Sequence, residues 1–306
     1  MFEKIVVVTR KTRLEGLIER FNSRAQAKFY LDRSGGDFAD YEREDATYRR
    51  AVETVRRSLD LGLKVHVVER SLVPTMLFTE ADVIVAVGQD GLVANTAKYV
   101  GEQPIVAVNP DPERFDGILL RYEPVEARAA VAALLEGRAK VRKVTLAEAA
   151  LEDGQRLLGF NDLFIGARTH VSARYRIAFG GSAEPHSSSG VLVSTGAGST
   201  GWLSSVFAMS GAVSRFSGGQ PGRAMRMEWE DPRLVFVVRE PYVSRHSRAG
   251  IAAGMIESGG ELILESQMPS GGVIFSDGVE ADALEFNSGA RARIRAASRR
   301  THLVSA

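Results

Sequence analysis

The chain contains no cysteine, which excludes disulfides, thiolate nucleophiles and cysteine-ligated zinc or iron–sulfur sites. No apolar run approaches the ~18 residues of a membrane-spanning helix, and the opening MFEKIVVVTRKTR lacks the basic and apolar regions of a secretion signal. Lys and Arg total 39 against 38 Asp and Glu, so no excess charge attracts nucleic acid or a membrane surface. We therefore expect a cytoplasmic protein that binds neither nucleic acid nor membrane.

The composition is otherwise that of a globular protein, with 44% hydrophobic and 25% charged residues, and 306 residues suffice for two domains. Short apolar runs of strand length occupy residues 4–9, 64–69, 81–87 and 104–109, and the first is typical of a strand buried on both faces. Helical patterns occupy residues 46–62, 92–100 and 123–137, whereas residues 32–45 form a polar stretch that contains glycine. This alternation predicts a parallel α/β sheet domain over residues 1–138.

The pattern changes in the second half of the chain. Strand-like runs occupy residues 173–180, 190–195, 233–240, 260–266 and 271–286, and few long helical patterns separate them. In the first of these runs Tyr175 and Ile177 alternate with arginines, as expected of a strand with one buried face. The last contains the hairpin-turn sequence SDG. We predict a larger β-rich domain over residues 139–289, and periodicity leaves open whether residues 290–306 pack back onto the first domain.

A polar gap separates the third strand from the helix that follows it. The strand ends at Val87, and the gap consists of Gly88, Gln89, Asp90 and Gly91. Ligands of parallel sheets collect beyond the carboxyl ends of strands, and the N-terminus of a helix suits phosphate. Asp90 can accept a proton from an attacking hydroxyl, face a phosphate through Mg²⁺, or cap the helix; the pattern alone favours the cap. Neither a P-loop nor a Rossmann glycine motif opens a strand–helix unit.

Six segments, in chain order, carry a resemblance to one family. GQDG (88–91) resembles the GGDG-type phosphate-site motif of the NAD kinase and diacylglycerol kinase superfamily. Further segments are similar to NAD kinases, particularly the branch that includes the mitochondrial enzyme of animals: VNPDPERFDGIL (108–119), FNDLFIG (160–166), SSGVLVSTGAGSTGW (188–202), FVVREP (236–241) and residues 271–294. The resemblance covers most of the chain from residue 80 onward and, weakly, the first strand.

The resemblance implies an NAD kinase-like two-domain architecture, with nucleotide phosphates bound by the first domain and the dinucleotide by the second. NAD kinases transfer the terminal phosphoryl group of ATP, or of polyphosphate in some members, to the adenosine ribose 2′-hydroxyl of NAD, with Mg²⁺ or another divalent cation. The resemblance also implies a homo-oligomer, a dimer or tetramer, with ATP and NAD as its small-molecule substrates. Phosphoryl transfer requires positioning and charge neutralisation rather than covalent chemistry, so glycine loops, one base and one metal ion suffice.

The family motifs imply roles for individual residues. Asp90 matches the catalytic aspartate, which would take the proton of the hydroxyl. Asn161 and Asp162 match the Asn-Glu motif, whose side chains hydrogen-bond the ribose hydroxyls. The remaining substrate contacts come from Gly88, Gln89 and Gly91 in the phosphate loop and from the hydroxyls of Thr195, Ser199 and Thr200. No residue is predicted to be a metal ligand.

Departures from the family pattern keep two alternatives open, a superfamily kinase acting on a lipid or another hydroxyl compound and a non-catalytic nucleotide-binding protein. Gln89 replaces a glycine, Leu92 replaces a threonine, and Asp162 is one methylene shorter than Glu. The pair Asn161–Asp162 favours a dinucleotide because a lipid headgroup has no ribose diol. A protein that only binds nucleotides needs no base at Asp90. The phosphoryl donor and the choice between NAD and NADH stay open.

Overall fold

The computed structural model describes residues 2–305, which divide into two compact units. The first unit runs through Arg142 and includes the residues from Thr301 onward, whereas the second comprises Lys143–Arg300. The first unit contains a parallel sheet with helices, and the second contains mainly antiparallel strands. The predicted fold class, α/β followed by mainly β, is confirmed. Among residues 2–305, no helix is both long enough and apolar enough to cross a membrane.

Four strands and the end of a fifth form the sheet of the first unit. They are β1 (Lys4–Thr9), β2 (Lys64–Glu69), β3 (Asp82–Val87), β4 (Pro104–Val108) and the last residues of β16 (Arg291–Ser305). The order is β2-β1-β3-β4-β16, and neighbouring strands are parallel. β3 and β4 are buried along their whole lengths, which explains why their sequences are apolar rather than alternating. The four predicted strands are therefore confirmed.

The helices of the first unit are α1 (Arg13–Phe21), α2 (Arg24–Ser34), α3 (Phe38–Ser58), α4 (Asp90–Tyr99) and α5 (Ala127–Leu135). The sequence predicted α3, α4 and α5 but not α1 and α2. It also began α3 at residue 46, because it interpreted residues 32–45 as a polar stretch. That interpretation is wrong: the carboxylate of Asp37 accepts a hydrogen bond from the N–H of Ala39 and starts α3 at Phe38.

Apolar side chains of α3 and α5 pack against this sheet. Val55 of α3, Leu59 at the C-cap of α3 and Val131 of α5 are fully buried in one cluster with Val7 and Val85 of the strands. Each such side chain contributes about 1.5–3 kcal/mol relative to an exposed one. Since β3 lies between β1 and β4, its carboxyl end is fixed by neighbours on both sides.

The second unit is built almost entirely from antiparallel strands. They are β5 (Lys140–Leu151), β6 (Arg156–Gly159), β7 (Asp162–Ala167), β8 (Ala173–Phe179), β9 (Ser182–Ser188), β10 (Val191–Ser194), β11 (Leu234–Val238), β12 (Ala253–Ile256), β13 (Leu262–Ser266), β14 (Gly272–Ser276) and β15 (Val279–Glu285). One sheet has the order β12-β11-β10-β7-β14-β15. A second group of hydrogen-bonded strands has the order β16-β13-β8-β9. The alternation predicted for β8 is confirmed, because Tyr175 and Ile177 are buried and the intervening arginines are exposed.

Inward-facing side chains from both groups of strands form the core of the second unit, including Ile165, Tyr175, Phe236, Leu264 and Ile294. The sequence did not predict α6 (Trp202–Phe216), a helix of 15 residues within this β-rich unit. Its Leu203 packs with Leu192 and Val235 in a second, smaller cluster. These two strand residues alternate with the core-facing ones, so α6 covers the opposite face of the sheet.

Candidate functional site

The carboxylate of Asp90 does not cap α4. Gln89 is the N-cap residue and its side chain makes no capping hydrogen bond, whereas Asp90 is the first residue of the helix. The Asp90 carboxylate instead accepts hydrogen bonds from the backbone N–H of Ile118 at 3.1 Å and of Leu119 at 2.9 Å. The helix-cap interpretation is therefore wrong. Asp90 connects the carboxyl end of β3 to the loop that follows β4.

Gly88 is required by packing rather than by the turn. A Cβ atom on Gly88 would lie 2.6 Å from Cδ2 of Leu92, closer than carbon atoms approach. A Cβ on Gly91 would meet nothing within 4 Å, and neither glycine adopts a left-handed φ. A side chain at position 88 would therefore require the buried side chain of Leu92 to shift, whereas position 91 has room for a side chain.

Side-chain hydrogen bonds hold the loop that follows β4. The side chain of Asn109 donates to the carbonyl of Phe115 at 2.8 Å and accepts from the N–H of Asp111 at 3.1 Å. The guanidinium of Arg114 forms two hydrogen bonds with the carboxylate of Asp40 on α3, at 2.6 and 3.1 Å. These bonds and one from Arg13 hold the pKa of Asp40 well below its usual range. The segment 108–119, identified by its sequence motif, is therefore a hydrogen-bonded loop beside Asp90.

Tyr48 fixes the ends of two strands at this edge of the sheet. Its hydroxyl donates to the carbonyl of Val87 at 2.9 Å and accepts from the N–H of Arg10, just beyond β1, at 2.8 Å. The guanidinium of Arg10 lies 4.8 Å from the ring centroid. Burial raises the pKa of Tyr48 to about 12, so the hydroxyl keeps its proton and remains a donor at neutral pH. Sequence reasoning did not identify Tyr48.

A buried carboxylate lies beside Tyr48 on the same helix. Glu44 is only 3% exposed and accepts from Nη2 of Arg10 at 2.9 Å and from Nε of Arg13 at 2.6 Å. Burial alone would raise the pKa of Glu44, but the two hydrogen-bonded guanidinium groups outweigh burial and lower it. The bond to Arg13, whose side chain is 45% exposed, links α3 to the start of α1.

In the second unit, Asn161 and Asp162 lie at the corner between β6 and β7, close to the hairpin turn that joins β14 to β15. The carboxylate of Asp277 in that turn accepts hydrogen bonds from the N–H of Phe160 at 2.9 Å, of Asn161 at 2.6 Å and of Asp162 at 3.3 Å. The N–H of Asp277 donates to the carbonyl of Asp162 at 3.1 Å. The predicted SDG hairpin is confirmed, with positive φ at Asp277 and Gly278 as type I′ turns require.

The side chain of Asp162 is 7% exposed. Burial, and to a smaller extent the nearby charge of Asp277, raise the pKa of Asp162 to about 7. This carboxyl group therefore exchanges between its neutral and charged forms near physiological pH. In the neutral form it can donate a hydrogen bond as well as accept one.

The glycine- and hydroxyl-rich segment 194–202 packs directly on this corner. The hydroxyl of Thr195 donates to the carbonyl of Phe160 at 2.6 Å, and its oxygen accepts from the N–H of Gly198 at 3.2 Å. A Cβ on Gly198 would lie 2.0 Å from the carbonyl oxygen of Asn161, so only glycine fits there. The structure thus brings Asn161, Asp162 and Thr195 together, and adds Asp277, which the sequence did not indicate.

The three predicted hydroxyl contacts differ in accessibility. Thr195 and Ser199 are fully buried, and the hydroxyl of Ser199 donates to the carbonyl of Gly196 at 2.7 Å. Thr200 is exposed. Among residues 2–305 the hydroxyl of Thr200 has no hydrogen-bond partner, so a ligand can contact it directly, whereas contact with the other two hydroxyls requires an exchange of partners. Direct substrate contact stays a prediction for all three.

Comparison with solved structures identifies the fold. The structure of yeast NADH kinase complexed with NADH matches with a TM-score of 0.59 and 15% identity, covering 100% of this chain and 84% of that one. An NAD kinase from Archaeoglobus fulgidus in complex with ATP matches with a TM-score of 0.56 and 16% identity, covering 98% and 92%. The chain therefore has the two-domain fold of the NAD kinases.

Sequence comparison gives a more particular relative. Over 123 residues, 38% of this chain, the sequence is 30% identical to NAD kinase 2, mitochondrial, of Rattus norvegicus and to the same protein of Mus musculus. The matched region spans less than a third of either relative, 29% and 27% of their lengths. No family model matches the chain. The resemblance to the NAD kinase family seen in the sequence motifs is confirmed by these similarities in fold and sequence.

Proposed function

We propose that this chain is an ATP-dependent NAD kinase, a phosphotransferase with an alcohol group as acceptor. The observation that carries the proposal is the 30% identity to NAD kinase 2 over 123 residues, supported by a fold shared with NAD kinases along 98% or more of the chain. On this proposal residues 1–138 bind nucleotide phosphates and residues 139–289 bind the dinucleotide. The protein acts in the cytoplasm as a homo-oligomer.

Asp90 serves as the general base. The 2′-hydroxyl oxygen of the adenosine ribose forms a bond to the terminal phosphorus of ATP, the bond to the bridging oxygen breaks, and ADP leaves. The hydroxyl proton passes to the carboxylate of Asp90. Two backbone N–H groups occupy only part of the acceptor capacity of that carboxylate, which has about four lone-pair sites. The half-exposed side chain of Asp90 therefore retains positions for a proton.

The side chains of this chain suit a Mg²⁺ ion that is brought in by ATP. They suit less well an ion that is held by the protein alone. Within residues 2–305, no group of three or more His, Asp or Glu side chains is arranged to hold a metal ion. Mg²⁺ in kinases usually takes one or two carboxylates together with substrate phosphates and water, and Asp90 supplies a carboxylate at this edge of the sheet. When bound, the ion would neutralise charge on the transferred phosphoryl group.

Asn161 and Asp162 bind the ribose hydroxyls of NAD, with Thr195, Ser199 and Thr200 as hydroxyl contacts. The corner supports this assignment because Asn161 is half-buried rather than enclosed, and Asp162 is available as donor or acceptor near neutral pH. Gly88, Gln89 and Gly91 form the phosphate loop. The exposed amide of Gln89 can donate to a phosphoryl oxygen.

One observation favours a second candidate, a non-catalytic nucleotide-binding protein. The hydrogen bonds from Ile118 and Leu119 give Asp90 a purely structural task, so its presence alone does not require catalysis. A chain with this second function would bind NAD and ATP without forming NADP.

The test is an assay of purified protein with ATP, Mg²⁺ and NAD, in which NADP is detected with an NADP-specific dehydrogenase. We expect NADP to accumulate in proportion to enzyme concentration. Parallel reactions with polyphosphate in place of ATP, or NADH in place of NAD, identify the preferred substrates. Binding of both nucleotides without any NADP would replace the proposal with the second candidate, and phosphorylation of a lipid alone would indicate a different superfamily kinase.

A further inference from the structure

The hairpin turn between β14 and β15 contacts the Asn161–Asp162 corner through one residue. The carboxylate of Asp277 accepts from three consecutive backbone N–H groups, those of residues 160, 161 and 162. Its own N–H donates to the carbonyl of Asp162. Four hydrogen bonds therefore connect one turn residue to a three-residue segment more than 100 positions away. The corner is fixed by this turn as well as by its own strands.

The requirements of the turn do not explain this choice of residue. A type I′ turn needs positive φ at its two central residues, and asparagine or glycine satisfies that requirement as well as aspartate does. A carboxylate adds repulsion toward the buried Asp162, whose pKa it helps to raise. Asparagine would avoid that repulsion. Its side chain offers one acceptor oxygen, however, and would point an NH₂ group at backbone donors. The carboxylate is thus matched to the three N–H groups rather than to the turn.

We propose that Asp277 is a positioning residue for the bound dinucleotide, because it fixes the backbone of Phe160–Asp162 from which Asn161 and Asp162 reach the ribose hydroxyls. This inference rests on the proposed NAD kinase function and adds to it a residue that touches no substrate. The role differs from simple stabilisation of the fold: loss of the carboxylate weakens the binding of NAD selectively, while ATP binding by the phosphate loop is retained.

The experiment compares three variants of the full chain. Asp277→Gly keeps the left-handed turn and removes the carboxylate, and Asp277→Asn keeps the turn with one acceptor oxygen. Glu280→Gln, the matched control, removes a carboxylate from an exposed position of the same hairpin. The dissociation constants of NAD and ATP are measured by calorimetry, and amide hydrogen exchange is followed at residues 160–162.

We expect Asp277→Gly to raise the dissociation constant of NAD by about 10- to 100-fold through misplaced binding groups, with a smaller rise for Asp277→Asn. The dissociation constant of ATP should stay within about twofold, and the amides of residues 160–162 should exchange faster. Glu280→Gln should match the wild type in every measurement. If Asp277→Gly fails to fold, Asp277→Asn decides the question, since it preserves turn geometry and volume.

Two results would overturn the inference. The first is unchanged NAD affinity in a folded Asp277 variant, whatever its amide exchange. The second is an equal loss of NAD and ATP affinity, which marks a general structural role. Failure of the wild type itself to bind NAD would be seen before any variant is made, and would remove the proposed function together with this inference.

Discussion

The hydroxyl of Tyr48 donates a 2.9 Å hydrogen bond to the carbonyl oxygen of Val87, the last residue of β3. The hydroxyl oxygen of Tyr48 also accepts a hydrogen bond from the N–H of Arg10. Tyr48→Phe removes both bonds and leaves the buried carbonyl of Val87 and the part-buried N–H of Arg10 without this partner, which should lower the free energy of unfolding by about 1–3 kcal/mol. The measurement is urea unfolding followed by circular dichroism.

Tyr41→Phe is the matched control for that prediction, since it deletes the same atom from the same helix. Within residues 2–305, the hydroxyl of Tyr41 forms no hydrogen bond. We therefore expect the free energy of unfolding of Tyr41→Phe to stay within about 0.5 kcal/mol of wild type. Equal stability of the two variants would show that the bonds of Tyr48 contribute nothing to the end of β3.

Replacement of Gly88 by alanine should be costly, whereas the same change at Gly91 should not. The added methyl group at position 88 would lie 2.6 Å from Leu92 Cδ2, and overpacking of this kind costs about 1–3 kcal/mol. At position 91 the methyl group meets open space, so the helix propensity of alanine should raise stability by up to ~1 kcal/mol. Thermal unfolding of the two variants tests the pair, and a Gly88→Ala protein as stable as Gly91→Ala would contradict the packing argument.

The ionisation of Asp162 should make stability depend on pH. Its folded-state pKa of about 7 lies above the ordinary value of 3.8, so the folded protein retains a proton that the unfolded chain releases. Stability therefore falls as pH rises from about 4 to about 7, by about 1.4 kcal/mol for each unit of pKa difference. Asp162→Asn removes this slope. The free energy of unfolding of the variant minus that of wild type should therefore be larger at pH 8 than at pH 5.

Urea unfolding at pH 5 and pH 8 measures the difference between wild type and Asp162→Asn. The exposed Asp116 provides the control, because Asp116→Asn makes the same chemical change outside the buried corner. Parallel pH dependence in wild type and Asp162→Asn would mean that Asp162 is charged throughout this range in the folded protein.

Thr195 and Thr200 should respond differently to removal of the hydroxyl. Thr195→Val leaves the carbonyl of Phe160 and the N–H of Gly198 without a partner, which should lower stability by about 1–3 kcal/mol and raise the KM for NAD. Thr200→Val, at an exposed site, should raise the KM for NAD with stability unchanged. Steady-state kinetics and thermal unfolding separate the two effects. A Thr195→Val protein of wild-type stability would contradict the buried role of that hydroxyl.

The sequence predicted those parts of the fold that local patterns determine. β1, β3 and β4 are apolar runs of strand length, and the alternation in β8 follows from one buried face. α2 was missed because only Ala27 and Leu31 of its 11 residues are buried, which leaves almost no apolar periodicity. α6 was missed because its apolar residues lie within a β-rich context and many remain exposed.

The candidate site was predictable only where a motif is contiguous. Gly88 to Gly91 and the pair Asn161–Asp162 were identified as short segments of the chain. The partners of Asp90 and of Asn161 are contributed by distant segments: Leu119 is 29 positions from Asp90, and Asp277 is 116 positions from Asn161. A helix cap and a loop-anchoring carboxylate have the same local sequence, so only tertiary contacts distinguish them.

We propose that the carboxylate of Asp90 accepts the proton of the ribose hydroxyl during phosphoryl transfer. The most direct measurement is the single-turnover rate of NADP formation by Asp90→Asn at saturating ATP and NAD, with Asp116→Asn as the matched control. We predict a rate about 10²- to 10⁴-fold below wild type, with both nucleotides still bound and the control fully active. NADP formation by Asp90→Asn at the wild-type rate would contradict the account.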